Sequence, residues 1–283
     1  MNSKQINETF REVEATVFEQ SDIPPERREE AFEPYKVAPV ERVTSTDPDL
    51  YRLLVEVVFY SGFSAYKVQS RMATIQSHLG DPVVAEQLTG TDVARIVADP
   101  KMLGNRRKIV ACITNAKTFL ALSRQHGSFA GWLNSFGSLG QLPHAQELMR
   151  ALIRKFAFIS NITVYHFLME LGVQVVKPDR VLQRVFFRLG WTADPSLPRT
   201  ASQRRTYLWS VVSAARAIAD STGLNIRYID IVFMAFGQLE VKALGVRGVC
   251  LEDDPRCGAC HVTTCAVRRA SAPLHRPALR GDV

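Results

Sequence analysis

Four cysteines lie close together near the C-terminal end of the chain. Cys250, Cys257, Cys260 and Cys265 follow a C-x6-C-x2-C-x4-C spacing, and the 283 residues include only one other cysteine, Cys112 in an apolar run. Clustered cysteines in a reducing compartment are more often metal ligands than disulfides. Zinc sites generally use two separated pairs, whereas four thiolates on one short loop suit a cubane. The spacing predicts a [4Fe-4S] cluster, with structural zinc as the alternative, and a buried Cys112.

A carboxylate stands at the start of a predicted helix within VVKPDRVLQRVFFRLG. Asp179 follows Pro178, where the helix dipole and free N–H groups favour the ionised form. A fixed anion of this kind can stabilise an oxocarbenium-like sugar and orient water, although aspartate is also simply a good helix start. Arg180, Arg184 and Arg188 share one face of that helix. This basic stripe indicates either phosphate contacts or a solvated face.

Helices must position these groups, because apolar residues recur at spacings of three and four from about residue 46 onward. Repeated strand-like alternation and internal repeats are absent, so the sequence predicts an all-α fold of roughly ten or more short helices. Residues 1–45 are acidic and rich in proline toward their end, which favours an extension. The basic, Pro/Ala-rich stretch 266–283 is typical of a disordered tail.

Charge is uneven along the chain. The formal net charge is +7, while residues 1–45 hold ten acids and six bases, so residues 46–283 carry +11. A basic body favours a polyanionic partner, with nucleic acid as the leading candidate. No apolar leader or membrane-length apolar segment is present in the sequence. We therefore expect a cytoplasmic, nucleoid-associated protein that does not bind membranes.

The cysteine spacing together with PRCGAC resembles the C-terminal cluster loop of helix-hairpin-helix (HhH-GPD) DNA glycosylases, the endonuclease III and adenine glycosylase group. The last gap is usually five residues in that family and is four here. The resemblance implies a two-lobed all-α fold, a [4Fe-4S] cluster loop and a monomer acting on double-stranded DNA. One lobe would comprise residues 46–61 with 175–265, and the other, residues 62–174, would contain the hairpin.

The family's hairpin is similar to FAFISNITVYHFLMELG. Its backbone N–H groups bind a DNA phosphate, which implies DNA contacts for Ser160, Asn161 and Thr163. The family glycines are missing; Asn161 tolerates a left-handed conformation, and Thr163 can cap the next helix.

The resemblance also implies catalytic roles for Asp179 and Tyr165. Tyr165 occupies the position at which bifunctional members carry a lysine that forms a Schiff base with the sugar. A phenol cannot form that imine. The implied activity is therefore monofunctional: the enzyme releases a base, leaves an abasic site and lacks lyase activity.

The stretch FYSGFSAYKVQS, continued by NRRKIVACITNA, is similar to 3-methyladenine DNA glycosylase I. In that family the residue after the turn glycine wedges into DNA where a base has been extruded, and Phe63 matches it. The base-recognising glutamate falls on Val57, with Glu56 one residue away. Specificity for 3-methyladenine is therefore not implied. Tyr60, and less strongly its neighbours Tyr66 and Phe59, offer stacking faces for a flipped base or belong to the core.

A basic run, GNRRKI, opens the helix that follows. Basic side chains at a helix start suit phosphate binding, although a capped and solvated helix end is the alternative. The candidate DNA contacts in this run are Asn105, Arg106, Arg107 and Lys108.

Together these features predict a monofunctional DNA glycosylase of base excision repair, acting on a damaged or modified base that the sequence does not identify. A non-catalytic iron–sulfur protein that binds DNA on the same scaffold is the alternative. An Asp179→Asn variant would separate the two, because only the enzyme would lose base release.

Overall fold

The computed structural model describes residues 3–36 and 39–267. Within them the chain is mostly helical, as predicted, and most helices are short. The α-helices are α1 Ser3–Glu19, α2 Arg28–Phe32, α3 Asp47–Tyr60, α4 Ala65–Gln69, α5 Met72–Leu79, α6 Pro82–Gln87, α7 Gly90–Ala98, α8 Arg106–His126, α9 Phe129–Asn134, α10 Leu142–Lys155, α11 Thr163–Glu170, α12 Arg180–Arg188, α13 Ala201–Thr222 and α14 Ile226–Gly237.

One small β-ribbon departs from the all-α expectation. Strand β1, Glu240–Val241, pairs antiparallel with β2, Val246–Arg247. The chain reverses between them through Gly245, whose φ of +56° is favourable for glycine. Two-residue strands carry too little alternation to be recognised in a sequence.

Contacts divide the described residues into two compact units. The terminal unit comprises residues 3–36 and 178–267, and the central unit comprises residues 39–177. This division differs from the predicted lobes, which assigned residues 46–61 to the same lobe as the cysteines. Helix α3 belongs to the central unit because its apolar face packs against α8 and α11. The position of α3 directly after the predicted extension, residues 1–45, gave no sign that this helix packs against α8 and α11.

The N-terminal segment is also part of a unit and not an extension. Helix α1 packs against α13 and α14, and Phe10 meets Phe233 edge to face with ring centroids 5.7 Å apart. Its buried stripe repeats at helical spacing, although charges dominate its composition. The stripe consists of Ile6, Phe10, Val13 and Val17.

In the central unit, α3 and α8 form much of the core. The hydroxyl of Tyr51 donates to the carbonyl oxygen of Cys112 over 2.8 Å, and the Tyr51 ring lies edge to face with Phe119. Cys112 is buried, as predicted. Of the predicted tail, residues 268–283 lie outside the described residues. No helix in the described part of the chain is both long enough and apolar enough to span a membrane.

Candidate active site and cysteine cavity

Asp179 sits at the N-cap of α12, one residue outside the predicted helix start. Its Oδ1 accepts from the N–H groups of Val181 (2.9 Å) and Leu182 (3.2 Å). The preceding carbonyl of Pro178 accepts from the buried Gln183 amide at 2.7 Å. Within the described residues, Oδ2 of Asp179 makes no hydrogen bond. One carboxylate oxygen therefore fixes the side chain to the start of the helix, and the other has no hydrogen-bond partner among the described residues.

Two arginines of α12 bind the loop that carries the cysteines. Arg184 donates to the carbonyl oxygens of Gly237 (2.6 Å) and Cys250. Arg188 donates to the carbonyl oxygens of Leu251 and Glu252 and, at 3.4 Å, to Sγ of Cys250. The sequence predicted that this basic stripe either contacts phosphates or faces solvent. Arg184 and Arg188 do neither, because both donate hydrogen bonds to the loop. Only Arg180 is exposed and remains a candidate DNA contact.

The four cysteines line one cavity of the terminal unit, with Arg188, Phe236 and Val262 among its other walls. The Cys265 thiol donates to the Arg188 carbonyl oxygen at 3.3 Å. Burial raises the pKa of Cys250, and the nearby Arg188 opposes that rise. Among the described residues, no group of three or more His, Cys, Asp or Glu side chains could hold a single metal ion. The four thiols therefore line the same cavity, but in the described part of the chain they are not arranged around a single metal ion. The cavity's lining residues are Arg188, Leu189, Phe236, Val249, Cys250, Pro255, Cys257, Cys260, Val262, Cys265 and Val267.

Helix α1 supports the same loop from its other side. The Thr16 hydroxyl accepts from the N–H of His261 at 3.0 Å. Glu12 accepts from both the N–H (3.1 Å) and the hydroxyl (2.8 Å) of Thr263. The sequence prediction missed this role of the N-terminal segment, since polar side chains on a charged helix carry no signal for a distant loop.

A turn joins α10 and α11 where the sequence predicted the hairpin, and its residues have roles other than those predicted. Thr163 is only 6% exposed; its hydroxyl accepts from the Ser160 N–H at 2.6 Å and donates to the Phe158 carbonyl oxygen at 2.9 Å. Thr163 therefore holds the turn together and does not offer a surface for DNA. Ser160 is exposed, and the Asn161 N–H has no partner among the described residues. These two remain candidate phosphate contacts.

The left-handed residue of the turn is Phe158, with a φ of +62°, and not Asn161. This conformation is costly for an aromatic residue. The buried Asn115 stabilises the turn: its amide donates to the Ala157 carbonyl oxygen (3.0 Å) and accepts from the Ala157 N–H (2.8 Å). The sequence prediction gave Asn115 no role. Its position among the apolar residues of α8 could have indicated a buried hydrogen-bonding role.

Lys108 is only 3% exposed. The sequence had predicted that its side chain would contact phosphate or solvent. Its ammonium donates to the carbonyl oxygens of Val58 and Ser61 at the C-terminal end of α3. Burial lowers the pKa of Lys108 to about 8. The predicted phosphate contact is therefore wrong for Lys108, which lies four residues before the buried Cys112 on the inner face of α8.

The rest of the basic run behaves as a capped helix start with exposed charges. Asn105 accepts from the Lys108 N–H at 3.2 Å and so caps α8. Arg106 and Arg107 are exposed and remain candidate phosphate contacts.

The aromatic candidates separate clearly by environment. Phe59 is completely buried and belongs to the core. Tyr60 lies edge to face with His166, with ring centroids 5.6 Å apart. Phe63 is half-buried, and its ring centroid lies 5.3 Å from the Lys108 ammonium. Tyr165 is only 2% exposed, and burial raises its pKa. Its hydroxyl is neutral at physiological pH, and its ring is part of the core instead of an open pocket wall.

Val57 is also fully buried, so it offers nothing to a base. Its neighbour Glu56 is half-buried and accepts from the Gln76 amide at 3.3 Å. Burial, and secondly Glu170, raise the pKa of Glu56. The one-residue offset from the family pattern therefore places a carboxylate on a different face of α3.

The family model described as methyladenine glycosylase matches residues 41–178, slightly less than half of the chain. The DNA-3-methyladenine glycosylase of Haemophilus influenzae is 26% identical over 111 residues, which are 34% of this chain and 60% of that protein. The chain thus spans less than two thirds of the length of this curated relative.

The solved structures that are similar to the chain include two DNA glycosylases. The 8-oxoguanine DNA glycosylase of Thermotoga maritima matches with a TM-score of 0.50 and 20% identity, over 86% of this chain and 100% of that one. The 3-methyladenine DNA glycosylase I of Staphylococcus aureus matches with a TM-score of 0.42 and 20% identity, over 52% of this chain and 87% of that one. Over most of its length, the chain has the helix-hairpin-helix type of fold found in the Thermotoga DNA glycosylase.

Proposed function

We propose that this protein is a DNA glycosylase that hydrolyses the bond between a damaged base and its deoxyribose. The observation that carries the proposal is the carboxylate of Asp179, fixed through Oδ1 to the start of α12 while Oδ2 makes no hydrogen bond within the described residues. The methyladenine glycosylase match over residues 41–178 and the fold similarity to a DNA glycosylase support it.

Asp179 suits the charge that develops in this reaction. As the bond from C1′ to the base nitrogen breaks, positive charge accumulates on the sugar, and the departing base takes the electron pair. A carboxylate held in place before the reaction stabilises that cation without reorganising. Its unpaired oxygen accepts a hydrogen bond from the water that attacks C1′. The products are a free base and an abasic site.

The proposed enzyme is monofunctional. A lyase step requires a neutral amine that attacks C1′. Tyr165 stands at the family's lysine position, and burial keeps its phenol protonated. Lys108, whose pKa is low, is buried against backbone carbonyls. We therefore expect no covalent adduct with DNA after borohydride reduction.

The cysteine cavity fits an iron–sulfur cluster, with Cys250, Cys257, Cys260 and Cys265 as its ligands. Cysteine thiolates are the usual ligands of such a cluster, and all four clustered cysteines line this cavity. The four thiols around one cavity support this proposal, with structural zinc as the alternative. When bound, the cluster would supply structural cross-linking of the loop. Arg184 and Arg188 would tie that cross-link to the helix that starts at Asp179.

The substrate is proposed as double-stranded DNA with a damaged or modified base. The Asn161 N–H at the hairpin and the exposed Arg106 and Arg107 would take phosphates. With Val57 in place of a recognising glutamate, a preference for 3-methyladenine is not assumed.

The test is incubation of anaerobically purified protein with duplexes that each carry one altered base: 3-methyladenine, 7-methylguanine, hypoxanthine, uracil, a G·T mismatch or 8-oxoguanine. Strands are analysed with and without hot alkali. We expect scission only after alkali, and for a subset of duplexes. Scission without alkali would contradict the monofunctional proposal. Binding without release from any duplex would favour the non-catalytic DNA-binding alternative.

A further inference from the structure

Lys108 is a buried cation for which the proposed reaction has no use. It lies within the central unit, and its side chain is only 3% exposed. Burying a charge is costly unless hydrogen bonds or an opposite charge compensate for it. Among the described residues, no carboxylate acts on Lys108. Carbonyl oxygens and aromatic rings surround its ammonium instead, so the charge is a candidate for positioning the segments that carry them.

The ammonium holds the C-terminal end of α3. It donates to the carbonyl oxygens of Val58 and Ser61 and, at 3.4 Å, of Phe59. The last carbonyl groups of a helix have no partner within the helix, and a cation at this end also suits the helix dipole. The chain then turns through Gly62, whose φ is +79°. Lys108 therefore fixes the point at which the chain leaves α3.

The same ammonium also contacts three aromatic rings. The ring centroids of Phe63, Phe158 and Phe59 lie 5.3, 5.1 and 6.0 Å from it. Phe63 belongs to the turn after α3, whereas Phe158 belongs to the turn between α10 and α11. A cation over an aromatic face is attracted to it. One buried charge thus joins two segments that are far apart in the sequence.

The turn between α10 and α11 is built around Phe158. Its φ of +62° is costly for an aromatic residue, and such a conformation persists only where the surroundings enforce it. Its carbonyl oxygen accepts from the Thr163 hydroxyl, which in turn accepts from the Ser160 N–H. The adjacent Ala157 is held by Asn115 of α8. Helix α8, through Lys108 and Asn115, therefore shapes the turn that carries two candidate phosphate contacts.

We propose that Lys108 is a positioning residue for DNA binding, which holds this turn against the end of α3 in the arrangement that binds a phosphate. The inference deepens the proposed function and rests on it, because only a DNA-binding protein needs the N–H groups of the turn held for a phosphate. Lys108 acts through Phe158 and does not itself contact DNA. The partner is the sugar–phosphate backbone of a duplex, met by Ser160 and the Asn161 N–H.

The protonation of Lys108 supplies a distinctive readout. Burial lowers its pKa to about 8, and the Cys112 thiol, the titratable group that acts on it, opposes that fall. Burial raises the pKa of Cys112 to about 12, so the thiol stays protonated. The end of α3 and the two turns present carbonyl oxygens and rings to the ammonium. A neutral amine leaves one carbonyl without a donor and loses the attraction to the rings, so DNA affinity should fall above about pH 8.

This loss of affinity is distinguishable from loss of the fold. The folded pKa lies below the ordinary value of 10.5, so the unfolded state binds more protons between the two pKa values. The contribution of Lys108 to the unfolding free energy therefore rises with pH in this range. A purely structural role would not weaken DNA binding while stability is maintained.

The test measures affinity for a duplex with one stable abasic analogue, from about pH 7 to about pH 9 and over a series of salt concentrations. Wild type should lose up to about tenfold in affinity over this pH range. Lys108→Met should bind about as weakly at neutral pH as wild type does at the alkaline end, without a further fall. Its salt dependence should match that of wild type, because no phosphate contact is removed.

Tyr51→Phe is the matched control, because it also removes a buried donor from a backbone carbonyl of the central unit. It should keep the wild-type affinity and pH profile. Arg107→Met, at an exposed candidate phosphate contact, should instead make the salt dependence shallower by about one ion while keeping the pH profile. Thermal melting checks that each variant is folded.

The outcomes separate this inference from the proposed function. A folded wild-type protein that does not bind the duplex at any pH would overturn both. Wild-type affinity that stays constant across this pH range would overturn the inference alone, as would wild-type affinity in Lys108→Met or an equal loss in Tyr51→Phe. A shallower salt dependence in Lys108→Met would indicate a direct phosphate contact and would also overturn it. If Lys108→Met is unfolded, the wild-type pH profile decides.

Discussion

The two units of the chain differ in how far sequence similarity describes them. The methyladenine glycosylase model lies almost entirely within the central unit, which also holds the hairpin and the basic segments. The terminal unit carries Asp179 and the four cysteines, yet the family model ends at residue 178. Apart from Arg180, the candidate DNA contacts thus lie in the central unit, whereas the candidate reacting group lies in the terminal unit. Sequence similarity to the family therefore covers the central unit, and it does not extend to the candidate reacting group or the cysteines of the terminal unit.

The largest expected effect concerns the cysteine cavity. Cys257→Ser removes one of the four thiolates that line it, and we expect the purified protein to lose its iron and its visible iron–sulfur absorbance. Cys112→Ala is the matched control, because Cys112 lies in the core of the central unit. Iron retained in full by Cys257→Ser, or zinc in place of iron in the wild type, would contradict the cluster proposal.

The second largest effect is expected from a substitution in α1, and it tests whether this helix contributes to the hydrophobic core of the terminal unit. Phe10→Ala removes a completely buried ring that packs on Phe233 and should cost about 3–5 kcal/mol of unfolding free energy. Leu239→Ala, at a 76% exposed position of the same unit, should have little effect. Hydrogen exchange should quicken in α13 and α14 peptides of Phe10→Ala. Unchanged exchange there would mean that α1 is dispensable.

A smaller effect is expected in the central unit from Lys108→Met. The variant leaves the carbonyl oxygens of Val58 and Ser61 without their donor, which should cost about 2 kcal/mol of unfolding free energy. Arg107→Met, at the exposed neighbouring position, is the control in denaturant unfolding. Equal stability of the two variants would show that Lys108 is not the cap of α3.

The smallest effect is a pH dependence at Glu56. Because the folded protein raises the pKa of this carboxyl, the folded state binds more protons than the unfolded state between the two pKa values. Its stabilising contribution is complete below the unfolded pKa and is lost as the pH rises through the folded one. Glu56→Gln should therefore melt higher than wild type near neutral pH, by a margin that shrinks toward about pH 4. Glu147→Gln, at an exposed position, is the matched control in these melting measurements.

Sequence reasoning succeeded where local chemistry decides the structure. Asp179 at a helix start and Asn105 before a basic helix both follow from capping preferences, and both cap helices in the structure. All four clustered cysteines line one cavity, while the [4Fe-4S] cluster that their spacing indicated stays a prediction.

The sequence-based assignments failed where tertiary packing overrides local signals. Lys108 lies within a basic run but on the buried face of α8, a placement that its spacing from Cys112 could have revealed. Phe158 adopts a positive φ because Asn115 and Thr163 hold the turn around it, and no local pattern marks an aromatic residue for that conformation. The apolar stripe of α1 was present but was concealed by its charges.

The most direct test of the account is single-turnover base release by Asp179→Asn on whichever duplex the wild type cleaves. Asparagine also caps helices well, so the fold and salt-dependent DNA binding should persist. The exposed Asp220→Asn in the terminal unit serves as the control. We predict that Asp179→Asn loses at least a hundredfold in rate, while Asp220→Asn matches wild type. Base release by folded Asp179→Asn at the wild-type rate would contradict the assignment of Asp179 as the group that stabilises the sugar cation.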